Sequence, residues 1–489
     1  MSALPHADRV ESTAAAPTTS APAAPLRRVA DLPGPRPWPI VGNALQLKLR
    51  RLHRQMEAWA AQHGPLYRLR LGGRDALVVA DAEVIAGALR ERPDTWRRIR
   101  PIEAVIREAG GHGLFSCEGD DWRRQRRLVM SAFDPAHLKR FYPSLRRVTA
   151  RLAACWREAA GRGEPIDLQA SLTRYTVDVT TGLAFGADLN TLEAPQPLQE
   201  HLDKLFPMLF RRINLPFAYW RWLRLPIDRA FDRHLAAVQQ AVQGFVRAAR
   251  QRLEDEPQRR GQPTDLLEAM LAARDADGAA LTEEEIAGNV VTVLLAGEDT
   301  TAHTLGWALW LLHTHRDAWQ AVVEEVDGAL GAEPLPAGFE VARGFDGIER
   351  AVQEAMRLKP VAPLLFLESN HDTVIAGCAA PRGTPLMCLM RAAALDARGA
   401  ADIADFRPAR WLPGGEREAQ KASMPFGAGP RLCPGRYLAL LEMKMVLAML
   451  ARNFELLHVG TDGGGEPEER MSFTMHPVGL KMRLRLREA

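Results

Sequence analysis

Phe426-Gly-Ala-Gly-Pro-Arg-Leu-Cys-Pro-Gly435 sets one cysteine in a glycine-punctuated loop, directly ahead of an apolar helical run. Gly429 permits a tight turn without a Cβ clash, and Gly435 lets backbone approach a flat ligand closely. Pro434 suits a first helical position, where its missing N–H costs nothing. Cys433 is then expected at a helix N-terminus, where free amides and the helix dipole favour its anion. Amides donating to the sulfur would tune a bound metal. Arg431 is placed to meet an anionic cofactor group. A buried, inert thiol is the commoner fate of a lone cysteine, but a ten-residue pattern with five fixed identities argues against it here. A cysteine nucleophile would need a nearby base, and the loop carries no local signature of one.

This loop resembles that of the cytochrome P450 superfamily, with every fixed position matched. The resemblance implies a mainly α-helical fold with small β-sheets (α+β). Haem b would lie between a long central helix and the cysteine-loop helix, with Cys433 as the axial ligand of its iron.

The rest of the chain agrees with one large unit. Its 489 residues set a length prior of about three domains, yet there is no internal repeat and no long polar linker after the first thirty residues. Residues 1–30, rich in Ala, Pro, Ser and Thr, read as an unstructured lead, and 31–489 as a single domain. No apolar run suits a signal peptide or a membrane span. Leu32-Pro-Gly-Pro-Arg-Pro-Trp-Pro-Ile-Val-Gly42 is a stiff extended entry, similar to the proline-rich entry of membrane-bound family members without their anchor. A cytoplasmic protein is expected, of bacterial type on the resemblance. A net charge of +3 gives no argument for nucleic acid. The five cysteines are scattered and lack a C-x-x-C pair, which suits a reducing compartment.

Leu66–Leu71 and 76–80 flank Gly72-Gly73 as a hairpin. Thr282 and Glu285 form a capping box for a helix running to about residue 314, roughly 45–50 Å long. Short strands are expected near 373–375 and 385–389, and 479–486 reads as an edge strand. Inside the long helix stands Ala296-Gly297-Glu298-Asp299-Thr300-Thr301. The Thr300 hydroxyl can bond the Ala296 carbonyl one turn back and open or bend the helix. Alone, this is a capped kink; beside Cys433 it is similar to the family's oxygen-binding motif. Asp299 and Thr300 would then be the acid–alcohol pair that delivers protons, with Ala296 and Gly297 against the cofactor.

Glu354-Ala-Met-Arg357 places an acid and a base at i, i+3, and Arg410 follows in Phe406-Arg-Pro-Ala-Arg410-Trp411. These look like the family's Glu–Arg–Arg triad, which would hold the thiolate loop. Trp122 and Arg126, at i, i+4, resemble the family's W-x-x-x-R helix that holds haem propionates. Many members carry a further propionate arginine where this chain has Leu367; His371 and Arg391 are the candidate substitutes. Arg123, Arg124, Arg127, Arg436 and Lys444 are expected to share a face that docks an acidic electron donor.

The resemblance implies insertion of one atom of dioxygen into a hydrophobic organic substrate. The segment 205–220, apolar and aromatic, would roof the pocket. With no nucleotide-binding glycine motif and no iron–sulfur cysteine cluster, a separate ferredoxin or flavodoxin with its reductase is implied. The alternatives are a peroxide-using or non-oxygenating haem-thiolate enzyme and a haem-binding sensor or carrier.

Overall fold

The computed structural model describes residues 26–488 except 131, 132, 134, 195, 216, 276, 277 and 397–401. The expected lead lies outside the described residues as far as residue 25. Arg27 and Arg28 pair in parallel with Cys378 and Ala379, because Val29 and Leu32 just beyond are drawn into a small apolar core with Ile375 and Cys378.

The hairpin forms from Leu66–Leu71 and Arg74–Val79, in antiparallel register. Gly72 supplies the positive φ of +59° at its turn. The sheet grows from the second strand. Pro385–Leu389 adds in parallel, Leu364–Ser369 pairs with that strand, and Trp96–Arg98 closes the edge. Arg98 stands directly across the last ladder from Leu367.

The long helix runs unbroken from Glu283 to Thr314. Its capping box is made, with Glu285 N–H on Thr282 Oγ1 at 3.2 Å and Thr282 N–H on Glu285 Oε2 at 2.8 Å. Buried residues occur around its whole circumference, as expected of a helix crossing the middle of a large protein. Helix Leu168–Phe185 packs on it closely. A Cβ at Gly297 would lie 2.4 Å from Thr180 Oγ1, so glycine is needed there for the helices to approach.

The cysteine-loop helix spans Arg436–Asn453 and is buried from Leu441 to Ala451. It begins later than expected. Pro434 and Gly435 form a turn ahead of it, which leaves the Gly435 N–H to bond the Cys433 sulfur.

The carboxy-terminal strand, Lys481–Leu486, is not an edge. It lies between Phe454–Gly460 and Ile166–Asp167. Its alternating pattern reflects one solvated face, with Lys481, Arg483 and Arg485 exposed and Met482 and Leu484 buried; a central antiparallel strand has such a face as readily as an edge. Among the described residues no helix is long and apolar enough to cross a membrane.

Candidate active site

The cysteine loop is fixed from both ends. Cys433 N–H donates to the Phe426 carbonyl at 3.0 Å, and Leu432 N–H to Gly429 at 3.1 Å. Gly429 has a φ of +68°, and a Cβ there would lie 2.5 Å from the Leu89 carbonyl oxygen. Both facts demand glycine. Burial pushes the Cys433 thiol up, while the Gly435 N–H, Arg126 and Arg436 pull it down. Buried Cys117 and Cys388 are instead pushed up to about 12, chiefly by desolvation. Burial is the largest influence on all three thiols, but the Gly435 N–H and two arginines oppose it at Cys433.

Beside this loop lies a surplus of buried positive charge. Arg431 donates to the Cys117 carbonyl at 2.7 Å and to Glu118 Oε2 at 2.6 Å, and its guanidinium lies 4.5 Å from the Trp122 ring centroid. Arg126 donates to the Leu432 carbonyl at 2.7 Å. Arg98 donates to the Phe115 carbonyl at 3.0 Å and stacks over that ring at 3.8 Å. Arg92 Nη2 is 3.8 Å from Glu118. Arg92 Nε and Nη2 and Arg431 Nε are buried and make no hydrogen bond. Desolvation, then the neighbouring arginines, push Arg98 down to about 9; burial likewise pushes Arg431 down to about 10. Three of these guanidinium groups, those of Arg92, Arg98 and Arg431, thus share one carboxylate, Glu118. Uncompensated buried charge is costly, and an anionic ligand would relieve it. A pair of carboxylates fits the fork geometry of the free N–H groups.

In the long helix Ala296 is exposed although it lies mid-helix, and Thr300 is half-buried. Thr300 Oγ1 donates to the Ala296 carbonyl at 2.7 Å, as the sequence suggests, but the helix continues through the bond without a break. Gly297 points to Thr180, so the structure gives it a packing role. Desolvation raises the Asp299 carboxyl to about 6, opposed by His476.

The cytochrome P450 family model matches residues 32–484. The chain is 30% identical over 454 residues to a pentalenene oxygenase of Streptomyces avermitilis, covering 92% of this chain and 96% of the relative. It is 30% identical over 469 residues to a cyclooctatin synthase of Streptomyces melanosporofaciens, covering 93% and 97%. The solved heme domain of cytochrome P450DA superimposes with a TM-score of 0.82 at 25% identity, over 95% of this chain and 98% of that one. The chain belongs to the cytochrome P450 family. Membership makes it an oxygen-incorporating oxidoreductase and implies a haem whose iron is bound by a cysteine thiolate.

In this P450 the Glu354 carboxylate is the centre of a buried knot. Arg357 grips it with Nε at 2.8 Å and Nη2 at 2.7 Å, and Arg410 Nε donates at 3.1 Å. Two further donors were not foreseen from sequence, Trp411 Nε1 at 2.9 Å and the Arg407 amide at 3.0 Å.

The two candidate substitutes for the propionate arginine lie in different settings. Arg391 is bound to Glu57 and Glu469, and His371 is exposed at a turn. Arg98 faces Leu367 from the next strand. The basic residues expected to share one exposed face are mostly engaged. Lys444 is buried on Glu349 at 2.5 Å and on the Arg343 carbonyl. Arg124 is tied to Glu285 and Asp121, and Arg123 to Asp94 and Asp120. Arg127 is exposed and Arg436 half-buried.

Proposed function

We propose that this P450 is a monooxygenase for a hydrophobic substrate of terpenoid, steroid or fatty-acid type, with Cys433 as the thiolate ligand of haem b and residues 31–489 acting as one domain. The observation that carries this reading is the buried arginine surplus beside the cysteine loop. Its residues fit a dianionic planar group. Arg98, Arg126, Arg431 and the Trp122 indole would hold the two propionates, with Arg92 behind them. Phe426, Gly435 and Ala296 would lie against the ring faces. Haem on a thiolate supplies dioxygen activation and insertion of one oxygen atom into a C–H or C=C bond.

The chain's own residues do the rest. Thr300, whose hydroxyl donates to the Ala296 carbonyl, would accept a hydrogen bond from a proton donor beside the helix. Asp299, raised towards neutrality by burial, holds a proton ready to pass on. Phe206, Phe473 and Phe115 form an aromatic train with centroids 6.0 Å apart at each step, which excludes water and favours apolar substrate. One relative is named an oxygenase of pentalenene, which accords with an apolar substrate. Leu205, Phe206 and Leu209 of the expected roof are buried, whereas Phe217, at 63% exposed, is not.

Electrons would come from a separate acidic ferredoxin or flavodoxin. The test is turnover under isotopically labelled dioxygen with a surrogate ferredoxin and its reductase. One labelled oxygen atom per product supports a monooxygenase; product formed without label, or only from added peroxide, rejects it.

A further inference from the structure

Glu118 stands immediately ahead of helix Gly119–Met130, which carries Trp122 and Arg126. Its carbonyl accepts the Trp122 N–H at 3.3 Å, so its backbone is fixed to the first turn. Both oxygens of its side chain are committed. Oε2 accepts from Arg431 Nη2 at 2.6 Å. Oε1 accepts the Arg98 backbone N–H at 3.1 Å and lies 3.8 Å from Arg92 Nη2. One carboxylate thus joins the cysteine loop to strand Trp96–Arg98 and to the segment before it. The side chains of Glu118, Arg92 and Arg431 are 9%, 6% and 4% exposed, so water and salt screen their charges little.

A single carboxylate cannot settle the charge of these arginines. Arg92, Arg98 and Arg431 all face it, and Arg126 donates to the Leu432 carbonyl instead. Arg92 Nε and Nη2 and Arg431 Nε stay buried without a hydrogen bond. With the two propionates of haem, three anionic groups would meet four guanidinium groups, and the surroundings would stay cationic by one unit. That balance acts on the cofactor. A nearby positive charge in a poorly screened site stabilises the iron state that holds one electron more, and a negative charge opposes it. Among the described residues, Glu118 is the acid that Arg92, Arg98 and Arg431 share, so it is the group that lowers their field. Arg92 is its counterpart. With two guanidinium nitrogens unbonded, what Arg92 brings to the cluster is mainly charge.

We infer that Glu118 is a positioning residue that sets the reduction potential of the bound cofactor: it holds Arg431 and strand Trp96–Arg98 in place while subtracting one charge from their field, with Arg92 as the opposing charge. This rests on the reading of the arginine cluster as the cradle of the propionates. Glu118 makes and breaks no bond; it acts on the iron through charge alone. The consequence for turnover is a threshold. An electron donor must be a stronger reductant than the value that Glu118 and Arg92 fix between them.

The measurement is the midpoint potential of the haem-loaded protein, by spectroelectrochemical titration of the ferric and ferrous Soret bands. Glu118→Gln keeps an acceptor oxygen and removes the charge. It should raise the ferrous-to-ferric ratio at a fixed applied potential roughly three- to tenfold, the upper end being about 59 mV for one electron. Arg92→Gln should move the ratio by a similar factor the other way, and the double variant, which restores the charge balance, should return towards wild type. Glu118→Asp keeps the charge but is a methylene too short to reach Arg431 and Arg98 together. It should hold a near-wild-type potential while losing haem faster to excess apomyoglobin. A purely structural role predicts shifts of one sign in all three single variants, because each would open the site to water alike. That pattern, or potentials that do not move, overturns the inference. Arg98→Leu tests the cradle separately. Wild-type haem retention in Arg98→Leu rejects the cradle reading itself. Faster haem loss there, with unmoved potentials in Glu118→Gln and Arg92→Gln, rejects the inference alone. If Glu118→Gln does not fold, Arg92→Gln decides: its potential must fall, and a rise or no change overturns the inference.

Discussion

Asp299 is a carboxyl that the fold holds near neutrality against its solvent preference. Its folded pKa of about 6 exceeds the ordinary value of 3.8 because burial disfavours the anion. The folded state therefore binds more protons than the unfolded state between these values. Stability falls as pH rises from about 4 to 6, and the penalty is complete above that window. Asp299→Asn removes it. Its Tm relative to wild type should rise as pH is taken from 4 to 7 and level off above; a pH-independent difference would contradict the raised pKa. Glu442 behaves alike. Desolvation pushes its carboxyl well above the usual range, and Oε2 has no hydrogen-bond partner. Glu442→Gln should be neutral or stabilising at pH 7, measured by thermal unfolding. The functional residues that sequence reasoning found sit in contiguous motifs, Cys433 in its loop and Asp299-Thr300 in its helix. Arg92 and Arg98, the proposed partners of a propionate, escaped it. Arg98 belongs to a dense arginine run, Trp96-Arg-Arg-Ile-Arg100, whose default reading is a solvated face, and only the strand pairing with Leu367 turns it inward.

At the scale of elements, two carboxylates do most of the fixing. Glu354 joins helix Asp346–Leu358 to the segment 402–411 upstream of the cysteine loop, through the Arg407 amide, Arg410 and Trp411. Such a network specifies geometry more than it adds net stability. Breaking it is another matter, because Arg357 and Arg410 are left buried without their anion. Glu354→Gln should cost about 3–5 kcal/mol and reduce haem content; wild-type Tm and haem occupancy would contradict the assignment. Glu469 anchors the hairpin of Glu469–Met471 and Met475–Pro477. Burial raises its carboxyl, but hydrogen bonds and charges from His53, Arg391 and Lys359 outweigh this and hold it far below the carboxylate range. The sequence made the Glu354 knot readable because its members lie in spaced motifs. The Glu469 knot gathers residues from four distant segments and has no such signature. The capping box of the long helix was readable for a local reason, since Thr282 and Glu285 satisfy each other's amides. The role of the carboxy-terminal strand was not, because alternation reports a solvated face and says nothing about neighbours.

Across the whole molecule, the buried arginine cluster and the cysteine loop form one electrostatic unit, and the exposed arginine of helix Gly119–Met130 is its outward extension. Among the described arginines of this helix, Arg127 is the exposed one proposed to steer a partner, since Arg123 and Arg124 are held by carboxylates. Exposed charges act on encounter and are screened over about 8 Å at physiological ionic strength. Arg127→Glu should therefore slow reduction by an acidic ferredoxin at low salt and converge on wild type at high salt, with the substrate-induced spin shift unchanged; equal stopped-flow rates at low salt would remove Arg127 from docking. The central claim is that Cys433 carries the iron of a haem whose propionates discharge the arginine surplus. The carbonyl spectrum of the dithionite-reduced protein tests this most directly. Wild type should show the red-shifted Soret band of a thiolate-ligated haem, and Cys433→Ser should lose that band or lose haem. An unchanged thiolate band in Cys433→Ser would contradict the account.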